Sequence, residues 1–188
     1  MKLKLITLLV AMYVCFMADA QLTINGITLP ATIKQGTTDL VLNGGGIRKK
    51  LFFKLYTGGL YLSAKNKNGA DIVSADKPTS FRLTITSGVI NSGNLSEAVE
   101  EGFTKSMKGN TAPLQEKINV LVSTFKSEEI KEGDMFELSY VPGEGVKAYK
   151  NGKLKNTIQG LDFKKALFGI WLGEDPVDAD LKTALLGS

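Results

Sequence analysis

The sequence predicts a single domain of the α+β class, with a large, mostly antiparallel sheet and helices packed on one face. Two observations lead to this prediction. Strand-like segments fill the first half of the chain after residue 20, and helical segments, a strand hairpin and two more helices follow. Strands and helices grouped in this way are typical of layered α+β folds. The roughly 170 residues after the first twenty suit one domain with a substantial core.

The first twenty residues have the composition of a secretory signal peptide. Two lysines precede an apolar run over residues 5–17, and Ala18-Asp19-Ala20 forms a small-residue cleavage site. The run is shorter than the roughly 20 apolar residues that cross a bilayer. We therefore expect a signal peptide over residues 1–20 and a mature domain over residues 21–188. That domain would have no integral membrane segment and would be periplasmic or secreted.

Cysteine and histidine usage excludes several classes of site. Cys15 is the single cysteine and lies within the expected signal peptide, and the chain contains no histidine. Histidine-based nucleophile systems and zinc sites are thereby excluded, and no carboxylate cluster has calcium-loop spacing. We expect no metal and no other cofactor. The net charge of +4 is small, and basic and acidic residues are interspersed along the chain, so we expect no nucleic-acid partner.

Strand-like patterns in the first half cover residues 22–33, 40–42, 51–62 and 79–86. Asn25-Gly26 divides the first segment and predicts a hairpin turn. Asn43-Gly44-Gly45-Gly46 follows the second segment and predicts a turn or a bulge. The third segment is apolar on both faces, which is typical of a strand that is covered on both sides.

Helical spacing begins after residue 90, with apolar stripes at Leu95, Ala98, Val99, Gly102 and Phe103 and at Leu114, Ile118, Leu121, Val122 and Phe125. Asn94 predicts the start of the first helix, because Glu97 follows at capping-box spacing. Pro113 predicts the start of the second helix.

Strands are predicted again at residues 135–141, 146–149 and 153–158. Asn151-Gly152 predicts a type I′ turn between the last two of these strands. Asp162 and Asp175-Pro176 predict the starts of the last two helices.

Two segments together resemble the chalcone isomerase superfamily, especially its bacterial exported branch. They are NGGGIR at residues 43–48, continuing to KLYTGGLYL at 54–62, and ALFGIWLGEDPVDADLK at 166–182. The resemblance spans nearly all of the mature chain. It implies an open-faced β-sandwich with helices on a large antiparallel sheet. It does not imply activity, since the superfamily contains isomerases, fatty-acid-binding members and members without known activity.

Arg48 matches the arginine that the plant enzymes carry after a glycine-rich turn. Tyr56 stands where those enzymes have a threonine, or Thr57 does if the alignment slips by one residue.

Three other catalytic positions have lost their polar groups. Leu95, Gly102 and Ile170 stand where the plant enzymes have a tyrosine, an asparagine and a threonine or serine. The plant reaction adds a phenolate across an enone and needs donors for the developing enolate. Flavonoid cyclisation is therefore not expected.

The fatty-acid-binding members are similar in pairing an arginine with a tyrosine that grip a carboxylate. The resemblance thus implies a non-catalytic protein that binds a small amphipathic carboxylate, such as a fatty acid, in an apolar cleft. A guanidinium can hold a carboxylate by two parallel hydrogen bonds, and a phenol can add another. The predicted ligand-binding residues are Arg48, Tyr56, Thr57, Phe52, Leu60, Leu95, Phe103 and Ile170.

Alternatives remain open for these residues. On a continuous strand, Arg48 and Tyr56 would stand roughly 26 Å apart, so a shared site needs a bend or hairpin near Lys49-Lys50. Arg48 could instead pair with a structural carboxylate or with carbonyls of the glycine turn, and the apolar residues could be ordinary core.

Two other functions also remain open. One is an intramolecular lyase or isomerase that acts on an unknown non-flavonoid substrate. The other is a structural or partner-binding module whose cleft is filled by its own side chains.

Overall fold

A computed structural model describes residues 21–187. Its strands are β1 (Leu22–Ile24), β2 (Ile27–Leu29), β3 (Thr32–Gln35), β4 (Thr38–Lys50), β5 (Phe53–Leu62), β6 (Thr79–Ile85), β7 (Met135–Val141), β8 (Gly145–Lys150) and β9 (Lys153–Ile158). Its helices are α1 (Gly69–Ser74), α2 (Ser92–Ser106), α3 (Gln115–Lys126), α4 (Leu161–Leu172) and α5 (Ala179–Leu185), with a 3-10 turn at Ala112–Leu114 before α3.

Strands β3 to β9 form a seven-stranded sheet in chain order, and each strand is antiparallel to its neighbours. Strands β1 and β2 form a separate hairpin around Asn25-Gly26. The helices cover one face of the curled sheet. The predicted α+β class and antiparallel sheet are confirmed.

Apolar side chains form two cores, one on each side of the sheet. The larger core lies between the sheet and the helices, and the smaller one lies under the β1–β2 hairpin. In β5, Leu60 and Leu62 belong to the larger core and Tyr61 to the smaller one. This double coverage is why the segment has no polar face, as its composition predicted.

The glycine-rich segment of β4 is a bulge and not a turn. The strand continues to Lys50, and the pairing with β5 skips one residue between Leu42 and Gly44. A Cβ atom on Gly44 would lie 2.2 Å from the carbonyl oxygen of Ala184. Gly44 and Gly46 are therefore needed because α5 packs directly on the backbone of β4, whereas Gly45 faces Leu29 on the other side of the sheet.

Several predicted helix starts are displaced by a few residues. Asn91 caps α2, three residues before the predicted cap, and Asn94 completes the capping box from inside the helix. Asp178 caps α5, later than Asp175-Pro176 predicted. Asp162 lies in the first turn of α4, whose N-cap is Gly160. The sequence patterns did not predict α1.

Lys164 joins α4 to the end of α1. Its side chain is fully buried, and the ammonium donates hydrogen bonds to the carbonyl groups of Ile72, Val73 and Ala75. These carbonyls are left without helical partners where α1 ends, and the ammonium satisfies them.

The expected signal peptide, residues 1–20, lies outside the described residues. Among residues 21–187, no helix combines the length and the apolar character needed to span a bilayer.

Candidate functional site

The β4–β5 hairpin places Arg48 directly opposite Tyr56. The two-residue turn at Leu51-Phe52 reverses the chain, so the predicted strand over residues 51–62 begins only at Phe53. Facing Cα atoms in an antiparallel pair lie about 5 Å apart, instead of the roughly 26 Å expected along one strand. The hairpin break that a shared site requires is thus present.

A β-bulge aims two consecutive residues of β5 at the same side. Arg48 pairs with Tyr56, but Lys49 pairs with Lys54, so Leu55 is the extra residue. Both Leu55 and Tyr56 line the same cavity. The bulge thereby breaks the simple alternation of side chains at the start of β5.

That cavity lies between the sheet and the helices and has a volume of about 330 Å³. Small-molecule pockets typically have volumes of about 300–1,000 Å³. Arg48, Tyr56 and the Trp171 indole border it, and its walls are largely apolar. The apolar walls come from the sheet, α2, α3 and α4 and include Leu83, Leu95, Leu121, Phe125, Leu138 and Leu167.

Tyr56 presents a neutral hydroxyl to this site. Its ring is buried, and its Oη accepts a hydrogen bond from the Trp171 Nε1–H at 2.8 Å. Burial raises the pKa of Tyr56 to about 12, even though the bond from Trp171 opposes the shift. The Tyr56 O–H is therefore protonated at neutral pH and can donate one hydrogen bond.

Asp178 orients the Arg48 guanidinium. Arg48 Nη1 lies 3.2 Å from Asp178 Oδ2 and also donates to the Lys49 carbonyl. Both bonds use Nη1, so among residues 21–187 the Nε–H and Nη2–H donors have no hydrogen-bonded partner. Of the two alternatives for Arg48, the structural carboxylate is the one observed, while the glycine-turn carbonyls are not its partners.

Asp178 is itself held by the backbone. Its Oδ1 accepts from the Leu181 N–H at 3.0 Å, and its Oδ2 accepts from the Lys49 N–H at 3.1 Å. Burial favours a higher pKa for Asp178, but these N–H groups and the Arg48 guanidinium outweigh it and lower the pKa. The carboxylate remains charged and fixes Arg48 at the start of α5.

Four of the predicted ligand-binding residues line the cavity: Arg48, Tyr56, Leu95 and Ile170. Leu95 and Ile170 contribute only apolar surface to the cavity. Gly102 packs against Ile170, and a Cβ there would lie 2.8 Å from the Ile170 Cγ2. These three positions provide no side-chain donor.

The other four predicted residues do not line the cavity. Thr57 points to the opposite face of the sheet, where its Oγ1 lies 3.5 Å from the Ile24 carbonyl oxygen. Phe52 is in the hairpin turn and is 99% exposed. On a continuous strand Phe52 and Tyr56 would lie on the same face, but the turn and the bulge interrupt the alternation of side chains between them.

Leu60 and Phe103 are buried in the larger core, between the sheet and the helices. Leu60 is on the same face as Tyr56 but lies further along β5, where the chain is fully packed. Phe103 stacks on Phe163 with ring centroids 5.5 Å apart. Neither residue lines the cavity, because helix packing closes the space around them.

Trp171 and Asp178, whose side chains bond to Tyr56 and Arg48, are polar partners that the predicted set lacked. Both lie in the tail segment that carried the family resemblance, at residues 166–182. Their positions in that segment were the available indication. Their partners lie more than a hundred positions earlier in the chain, so periodicity could not reveal the contacts.

Comparisons with known proteins agree with this fold. A family model described as chalcone isomerase-like matches residues 20–187. The crystal structure of a fatty-acid binding protein from Arabidopsis thaliana matches with a TM-score of 0.70 and 20% sequence identity, over 89% of this chain and 96% of that chain. No curated protein matches the chain in sequence. At this identity the structural match shows a shared fold.

Proposed function

Since this chain belongs to the chalcone isomerase-like family, we propose that it is a non-catalytic binding protein for a small amphipathic carboxylate, such as a fatty acid. The observation that carries the proposal is the pairing of Arg48 with Tyr56 beside an apolar cavity of about 330 Å³. The Arabidopsis protein of the same fold is a fatty-acid binding protein, which supports this class of ligand.

The polar groups suit a carboxylate. Its oxygens would accept from the free Nε–H or Nη2–H donors of Arg48 and from the Tyr56 O–H. Each hydrogen bond to a charged group contributes about 1.5–3 kcal/mol. An acyl tail contributes about 0.8 kcal/mol for each buried CH₂, so ten of them outweigh the polar contacts. The tail would supply most of the affinity, and Arg48 and Tyr56 would set the orientation.

The lyase or isomerase alternative has less support. Of the polar residues that it could use, Arg48 and Tyr56 line the cavity, whereas Thr57 lies on the other face of the sheet. The module with a cleft filled by its own side chains is disfavoured by the open cavity beside Arg48.

Native mass spectrometry of the purified protein tests the binding proposal. We expect a co-purifying fatty acid in the unmodified protein and its loss in Arg48→Ala. The affinity of Tyr56→Phe for the fatty acid should be lower by roughly tenfold or more, because one charge-assisted bond is removed. Arg82→Ala is the matched control, since Arg82 pairs with Glu137 at 2.7 Å and does not line the cavity.

An unmodified protein that binds no fatty acid, or an Arg48→Ala variant that binds as well as the original, would contradict the proposal. Turnover of an enone substrate that disappears in Tyr56→Phe would favour the lyase alternative instead.

We also propose that the protein is a member of the exported bacterial branch and acts in the periplasm or outside the cell. Residues 1–20 have the three parts of a signal peptide, and the family match begins at residue 20. N-terminal sequencing of the protein recovered from an expressing bacterium should find Gln21 first. An intact N-terminus in the cytoplasmic fraction would contradict export.

A further inference from the structure

The turn between β4 and β5 differs from the other two-residue turns among residues 21–187. Asn25-Gly26, Gly36-Thr37 and Asn151-Gly152 connect the other hairpins of this length, whereas Leu51-Phe52 connects this one. The first position of each turn has a positive φ: 51° at Asn25, 60° at Gly36, 50° at Asn151 and 55° at Leu51. Asparagine and glycine tolerate that conformation, but leucine is strained in it.

The strained turn is also apolar and exposed. Leu51 is 86% exposed, Phe52 99% and Phe53 49%, and we call these three residues the apolar tip. Val89, 45% exposed, lines the same cavity as Leu51 and Phe53. A segment that breaks local turn rules without gaining buried contacts is expected to serve a function.

The cavity opens beside the apolar tip. Its rim includes Lys50 and Leu51 on the hairpin, Val89 before α2, and the exposed Glu101 and Lys105 on α2. Arg48 lies three residues before Leu51, near the end of β4. Whatever covers the apolar tip would therefore also cover the entrance to the site.

Lysines surround the apolar tip. Lys49, Lys50 and Lys54 flank it, and none of them forms an ion pair with a carboxylate of residues 21–187. The sequence has no acidic residue between Asp39 and Asp71. Apolar side chains within a basic collar match the interface of an anionic bilayer, where the apolar groups enter the acyl boundary and the lysines meet acidic headgroups.

We propose that the apolar tip docks the protein on an anionic lipid bilayer. Leu51, Phe52 and Phe53 enter the interface, and Lys49, Lys50 and Lys54 contact the anionic headgroups. This orientation turns the cavity entrance toward the membrane, so an acyl chain can pass between bilayer and cavity without crossing bulk water. The docking does not depend on a bound ligand; only the transfer of acyl chains rests on the function proposed above.

Vesicle co-sedimentation tests the docking. The chain from Gln21, which contains every described helix and strand, is mixed with vesicles of equal parts phosphatidylglycerol and phosphatidylcholine. We expect it to sediment with these vesicles and to bind pure phosphatidylcholine or high-salt samples far less. Leu51→Gly combined with Phe52→Thr should weaken binding at least about tenfold, because a buried phenyl ring is lost. Each of Lys49→Gln and Lys50→Gln should weaken it about fivefold.

Two controls separate docking from misfolding. In the Gly36-Thr37 turn, as in Leu51-Phe52, only the first residue has a positive φ, so Leu51→Gly with Phe52→Thr should unfold no earlier than the unmodified protein. Leu154→Ser removes another exposed apolar side chain, 52% exposed on edge strand β9, and should leave vesicle binding unchanged.

Failure to sediment with anionic vesicles would overturn the proposal, as would unchanged sedimentation of the turn variant. Equal binding to pure phosphatidylcholine would overturn the role of the lysines. A dimer that dissociates in the turn variant, without vesicle binding, would assign the apolar tip to contact between two copies of the chain. Because no fatty acid is needed, a failure here is distinct from a failure to bind one.

Discussion

Tyr61 has a buried hydroxyl without a hydrogen-bond partner among the described residues. It lies in the smaller core under the β1–β2 hairpin, and its ring centroid is 5.7 Å from the Arg82 guanidinium carbon. Burial raises the pKa of Tyr61 to about 12, so the group stays neutral at physiological pH. Its desolvation is thus not offset by any hydrogen bond.

Tyr61→Phe should raise the free energy of unfolding by about 1 kcal/mol, because the change removes only the unpaired hydroxyl. Urea denaturation measures the effect. Tyr140→Phe is the matched control, since the Tyr140 hydroxyl donates to Asp76 at 2.7 Å, and its loss should destabilise by about 1–2 kcal/mol. A destabilised Tyr61→Phe variant would show that the hydroxyl has a partner in solution.

At the residue scale, the sequence was informative where a residue belongs to a motif. Arg48 and Tyr56 were selected from the glycine-rich segment, and both line the cavity. The exposure of Phe52 and the position of Thr57 were not predictable, because a bulge and a turn decide which face each side chain joins. Such irregularities depend on the pairing of two strands and leave no periodic pattern.

At the element scale, the contact between β4 and α5 depends on the absence of side chains. Gly44 and Gly46 face α5. The side chain of Asn43, the bulged residue of β4, donates a hydrogen bond to the Leu185 carbonyl at 2.8 Å. Asp178 at the other end of α5 holds Arg48. The fit of this helix on the strand therefore positions the guanidinium of the site.

Gly44→Ala should lower the free energy of unfolding by more than about 2 kcal/mol, since overpacking against rigid groups costs about 1–3 kcal/mol or more. The new Cβ would lie 2.2 Å from the Ala184 oxygen and 2.7 Å from the Leu185 oxygen, both in the backbone. Gly88→Ala, where a Cβ meets nothing within 4 Å, should change stability by less than about 0.5 kcal/mol. Equal effects in thermal denaturation would contradict this account of the glycines.

Whole-molecule stability should fall above about pH 10. The pKa values of Tyr56, Tyr61 and Tyr140 are each raised to about 12, with burial as the largest cause. A tyrosine in the unfolded chain has a pKa of about 10. Between about pH 10 and pH 12 the folded protein thus binds more protons than the unfolded chain, and stability decreases as pH rises.

Tyr56→Phe isolates one of these contributions. Tyr56 is deeply buried, and a shift of about two units corresponds to roughly 2–3 kcal/mol that is present below pH 10 and lost by pH 12. Urea denaturation across this range should show that the free energy of unfolding depends less steeply on pH in the variant, by the equivalent of about one bound proton. Parallel slopes in the two proteins would show that Tyr56 does not titrate with unfolding.

Across the whole molecule, the sequence by itself determined the fold class, most of the strands and most of the helices. Alternating and helical periodicity are local consequences of which face of an element is buried, so they can be read without knowing the partners. The Asn-Gly turns were likewise predictable, because their backbone conformation requires those residues. The glycine-rich segment and the tail identified the family.

Only the tertiary structure decided which residues meet. The β4–β5 register set Arg48 opposite Tyr56, and the docking of α4 and α5 brought Trp171 and Asp178 to them. These contacts join residues 115 and 130 positions apart. Each element buries an apolar face that could pack in several ways, so its local pattern cannot specify the neighbour. The site exists because the packing of the whole domain selects one arrangement.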